Sequence, residues 1–135
     1  MVSQFINRFR STAADTAPAT RHPFHVHILG HAVEVVIHPG EMHYQGKKSD
    51  VLCDCLARRI YIAGDAARTA RLQLLLTESW RYAILLVDCP TDPERSSDLF
   101  ALVAEPLLYD LAEPGTIEAL MALEPVVDGE GVANA

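Results

Sequence analysis

With 135 residues, half of them hydrophobic, the chain has material for one modest core and not for two. Eighteen acids against eleven bases give a formal charge of −7, which argues against a nucleic-acid binder that depends on a basic face. The unbroken apolar runs, AILLV at 83–87 among them, fall far short of the roughly 20 residues that a membrane-spanning helix needs, so no integral membrane protein is expected.

Residues 1–22 open with Val2, Phe5, Ile6 and Phe9 among Arg8 and Arg10, then continue as a stretch rich in Ala, Thr and Pro. This composition reads as a flexible arm. A targeting presequence is the alternative, since both arginines precede the first acid, Asp15, but the stretch is short for one. Two β-branched runs follow, FHVHIL at 24–29 and AVEVVIH at 32–38, joined by Gly30-His31 as a hairpin turn. After Pro39-Gly40, EMHYQ is expected to extend the sheet and GKKSD to form a polar loop. VLCDCL and RRIYIAG then make a second pair of short strands around 56–58, for about four antiparallel strands in all.

From Asp65 the pattern changes to that of helices. Asp65 is placed as N-cap of one continuous helix over 65–87, with Leu72, Leu75 and Leu76 packing on the strands. In the next helix Thr91 and Glu94 have capping-box spacing, Pro93 sits in the first turn, and Pro106 removes one backbone hydrogen bond and should kink it. Glu113-Pro114-Gly115 ends that helix and TIEALMAL at 116–123 forms a short third one. The segment 124–135 combines Pro, Gly and acids without periodicity and is expected to be disordered. The fold class is therefore α+β: a small antiparallel sheet of about four strands, two long helices and a short third, in a single domain over 23–123.

The cysteines Cys53, Cys55 and Cys89 form an odd and sparse set with no secretory signal before them, which fits reduced thiols in a cytoplasmic protein better than a disulfide framework. Cys53-Asp54 on a strand, the Arg59-Ile60-Tyr61-Ile62 strand, the apolar run at 72–76 and Ala83 occur in one order and spacing. Over about residues 50–111 this order resembles the core of small bacterial and phage H-E-x-x-H metallopeptidases of minimal zincin fold. In that family two histidines four residues apart on one helix face share a zinc ion, and the glutamate after the first takes a proton from the zinc-bound water. Here the motif register falls on Thr77-Glu78-Ser79-Trp80-Arg81, and only Glu78, the general-base position, is retained.

Threonine is a poor zinc ligand, and arginine has no lone pair to offer because it cannot be deprotonated. The resemblance thus implies a catalytically inactive zincin-like domain with no cofactor, kept as a structural module or for binding a protein partner that the sequence does not name; nor does the sequence give the oligomeric state. The family's third metal ligand commonly comes from the next helix, where Glu94 and Asp98 are the matching positions. Acids in a first helical turn also favour the positive end of the helix dipole, which explains both without a metal. Arg81 is expected either to replace the metal as an internal cation among Glu78, Glu94 and Asp98, or to point into water.

The alternative uses other residues. Of six histidines, His25 and His27 alternate on one strand and share a face, so that with Cys53 or Cys55 they could hold zinc in a metal-binding protein or an active hydrolase, or form a Cys-His pair. Half-buried strand histidines and two packed thiols account for the same residues. No Gly-rich phosphate loop and no G-x-S-x-G elbow occurs in the chain.

Overall fold

A computed structural model of the chain describes residues 23–87 and 93–127, the side chains of 93–95 excepted. The expected arm at 1–22, Cys89, the Thr91 cap and the side chain of Glu94 lie outside the described residues. Six strands come first: β1 (Phe24–Ile28), β2 (His31–His38), β3 (Met42–Tyr44), β4 (Lys47–Ser49), β5 (Val51–Asp54) and β6 (Arg59–Ala63). A 3-10 turn (Arg68–Ala70) leads into α1 (Arg71–Leu86), and α2 (Pro93–Ala112) and α3 (Thr116–Ala122) complete the α+β layout.

Four strands form one sheet in the order β1-β2-β6-β5. It is mixed and not wholly antiparallel as the sequence suggested, because β2 and β6 run parallel while β1-β2 and β5-β6 are antiparallel. The reason lies in β2, where five consecutive residues, 33–37, are buried. A strand buried on both faces needs a neighbour on each edge, and the chain supplies the second by going out through β3, β4 and β5 before returning as β6.

Two of the hairpin turns are set by two residues of positive φ each, the backbone that matches the twist of paired strands. Leu29 (49°) and Gly30 (83°) join β1 to β2, one residue earlier than Gly30-His31. Gln45 (52°) and Gly46 (79°) join β3 to β4 in a separate two-stranded sheet, so the GKKSD segment read as a loop contributes a strand.

The sheet has two unequal faces. Val26, Ile28, Val33, Val35, Ile37, Ile60 and Ile62 form the main core with Leu75, Tyr82 and Ala83 of α1, the α2 row Leu99, Val103, Leu107 and Leu111, and Leu120 of α3. The four-residue spacing on α2 places its row on one helix face. On the other side of the sheet Val36, Tyr61 and Ala63 make a smaller core with Met42 and Val126. Val126 belongs to the tail expected to be disordered from 124; its N–H donates to Ile37 O at 3.0 Å, and Pro125 bridges Ile37 just past Val35, the last β2 residue that pairs with β1.

The first helix starts later than expected. Its N-cap is Ala70, which makes no side-chain capping bond, and Asp65 instead pairs with Lys48 at 3.1 Å. What keeps 64–67 out of the helix is contact with the sheet: Gly64 N–H donates to Gly40 O at 2.9 Å, and a Cβ on Gly64 would lie 2.5 Å from His38 O. Leu75 is fully buried and Leu72 partly so, as expected, but Leu76 is 41% exposed. Pro106 sits inside α2, and Gly115, at φ 84°, precedes α3. No helix among the described residues is long and apolar enough to cross a membrane.

Candidate functional site

Four residues singled out by the sequence meet on one side of the molecule. The buried positions of α1 are Arg71, Leu75, Glu78, Ser79, Tyr82 and Ala83, three or four apart, so the face that packs on the sheet also carries Glu78. Opposite it stands β5, an edge strand, whose Cys53 pairs in register with Ile60 and therefore points to the same side as the main core. The Cys53 thiol lies close enough to the Glu78 carboxylate to feel its charge. Burial and then the charge of Glu78 push that thiol well above the usual cysteine range. Cys55 follows at the turn, with its Sγ 4.0 Å from Tyr82 O, and burial raises its thiol too. Both thiols are thus held protonated at neutral pH, the opposite of the lowered pKa that activates a cysteine nucleophile.

Arg81 lies at the mouth of this arrangement. Its Nη1 donates to Glu78 Oε1 at 3.0 Å, and the side chain is 56% exposed while that of Glu78 is 1% exposed. The arginine therefore pairs with Glu78, but from the solvent side and not as an internal cation. Asp98 is exposed on α2 and is no partner of Arg81. Thr77 is exposed as well, so both residues that the sequence reading set at metal-ligand positions lie toward water.

These groups line a groove of about 910 Å³. Its walls are the β3-β4 hairpin with Tyr44, Lys47 and Lys48, the β5 edge with the turn to Leu56, and the C-terminal half of α1 with Arg81 and Leu85. The basic hairpin and the exposed leucines carried no signal in the sequence, where KK read as loop and Leu56 as turn.

His25 and His27 are elsewhere. They sit on β1, the edge strand opposite β5, with β2 and β6 between, so the sheet does not bring them to Cys53 or Cys55. Asp110 of α2 accepts the His27 backbone N–H at 2.7 Å and lies 3.1 Å from the His27 Nδ1, tying the edge of β1 to the helix. Burial lowers the pKa of His25, with the nearby His27 a smaller cause. Among the described residues no three His, Cys, Asp or Glu side chains group as a metal site would require.

A further acid lay hidden in a strand. Glu34, the one charged residue in the AVEVVIH run, is buried on β2 and pairs with Arg59 of β6 at 3.3 Å. An acid within a strand buried on both faces was the signal for it. No family model matches the chain, and no curated protein or solved structure matches it either.

Proposed function

We propose that the chain is a catalytically inactive zincin-like domain that serves as a protein-binding module, using the groove between β5 and α1. The observation that carries this reading is the pairing of Arg81 with Glu78 at 3.0 Å. In an active relative the same helical positions would present imidazole to a zinc ion beside the general base. Here a guanidinium without a lone pair engages that base directly, and its fixed charge repels a divalent cation. Threonine and arginine do not fit zinc at Thr77 and Arg81, so no metal-assisted step is assigned to the groove. Cys53 and Cys55 are free thiols held protonated, which fits a cytoplasmic, reducing environment.

A groove kept open on the surface without its chemistry retains the shape that receives a polypeptide, which is the reason for preferring a protein partner to a purely structural role. Metal analysis of the purified protein tests the reading most cheaply. Well under one zinc per chain is expected, with no chelator-sensitive proteolysis. Near one zinc per chain, together with proteolysis lost on chelation and in Glu78→Gln, would refute it.

A further inference from the structure

We infer that the groove takes an extended segment of a partner protein that is acidic and carries apolar side chains, added as a strand to the free edge of β5. This deepens the reading of the groove as a protein-binding site and rests on it. The argument starts from the backbone. In the ladder with β6, Asp50 O accepts from Ala63 N–H, so the alternate residues Leu52 and Asp54 also face β6 while Val51 and Cys53 turn their backbone groups outward. Val51 O is taken by the Ser49 hydroxyl at 2.7 Å, but the N–H and C=O of Cys53 have no backbone partner among the described residues. An unpaired edge of this kind is a template for an incoming strand.

The chemistry of the walls selects the occupant. Leu56, Leu85 and Tyr44 are 98%, 63% and 51% exposed and all line the groove, an apolar surface that a bound segment would cover. Tyr61, buried in the same wall, has a hydroxyl with no hydrogen-bond partner. Three cations, Lys47, Lys48 and Arg81, line the groove against two acids, Asp54 and Glu78, although the chain as a whole is at −7. Lys47 makes no ion pair among the described residues, and the side chains of Lys48 and Arg81 keep about half their surface in water despite their own pairs. The acids of the walls are already engaged: Asp54 Oδ1 accepts the N–H groups of Leu56 and Ala57 at 3.1 Å, and Glu78 is buried under Arg81. Electrostatic complementarity therefore favours carboxylates alternating with apolar side chains along the strand.

Fluorescence anisotropy with short labelled peptides tests this. Three peptides alternate leucine with glutamate, with lysine or with serine, and a fourth is the glutamate peptide N-methylated on the residues that would face β5. The glutamate peptide should bind at least about tenfold tighter than the lysine peptide, weaken as salt rises from about 0.05 to about 0.5 M, and lose affinity on N-methylation. Lys47→Glu/Lys48→Glu should reduce its binding by roughly tenfold while leaving the circular dichroism spectrum unchanged. Equal binding of glutamate and lysine peptides would overturn the acidic preference and leave the groove as a peptide site. Unimpaired binding of the N-methylated peptide would overturn strand addition. If no peptide binds, the protein-binding reading falls with the inference, whereas the zinc content of the protein reports on the inactive-zincin reading independently of all three results.

Discussion

Two arginines ten residues apart on α1 meet opposite fates, and the contrast separates what holds this fold together from what its surface offers. Arg71, at the first turn, is 2% exposed and has no carboxylate partner among the described residues; its Nη1 donates to the carbonyls of Leu120, Met121 and Leu123 at 2.9, 3.0 and 2.9 Å. It closes the C-terminal end of α3, whose last carbonyls have no partner within the helix, so a cation there satisfies both the hydrogen bonds and the negative end of the helix dipole. Arg81 sits half in water on a single buried glutamate. One guanidinium is built into the packing of two helices, and the other is attached to a groove.

Substitutions sharpen that contrast in order of expected effect. Arg71→Met removes a charged donor from three carbonyls and should cost about 3–5 kcal/mol in denaturant unfolding, with α3 the first element to lose hydrogen-exchange protection. A cost under about 1 kcal/mol would mean that α3 is held by Leu120 and its neighbours without the arginine. Arg81→Met takes one cation from a buried carboxylate that keeps the Cys53 contact, and because the arginine is half solvated the cost should be only about 1–2 kcal/mol. A loss as large as that of Arg71 would place Arg81 among the structural residues and remove it from the groove's available charge.

A smaller, kinetic effect tests whether Glu78 governs its thiol neighbour. Because the Cys53 pKa is raised, its alkylation by iodoacetamide should keep accelerating beyond pH of about 9–10, where an ordinary thiol has saturated. Glu78→Gln removes the second largest cause of the shift and should speed Cys53 alkylation at pH 8 by about three- to tenfold, as read by peptide mass spectrometry, with less change at Cys55. Equal rates in the parent and the variant would separate the thiol from the carboxylate.

Much of this architecture was legible in the sequence because it is local. The β-branched runs at 24–29 and 32–38, the pairing of β5 with β6, the three helices and the ending at Gly115 are each written in neighbouring residues. What escaped depends on partners distant in the chain. Asp65 has the chemistry of an N-cap, but Lys48 claims it and Gly64 holds the segment against β2, so α1 begins at Arg71. The parallel pairing of β2 with β6 is likewise invisible to a pattern that reads each strand with its successor. Of the candidate site, Glu78, Arg81, Cys53 and Cys55 were each legible as candidates, but their convergence, like the distance of His25 and His27 from the thiols, required the strand order. The basic hairpin at Lys47 and Lys48 reads in isolation as an ordinary solvated loop.

The central proposal is that Thr77 and Arg81 occupy the places that two metal ligands would take beside Glu78 as general base, and Thr77→His/Arg81→His tests it most directly by writing two imidazoles onto α1. If the register is right, the double variant should gain close to one zinc per chain in equilibrium dialysis where the parent gains none, each single variant should bind markedly more weakly, and chelation should lower the melting temperature of the double variant alone. A folded double variant that binds no more zinc than the parent would show that the helix does not hold these positions as a zincin does, and the account of the groove as an emptied metallopeptidase site would be wrong.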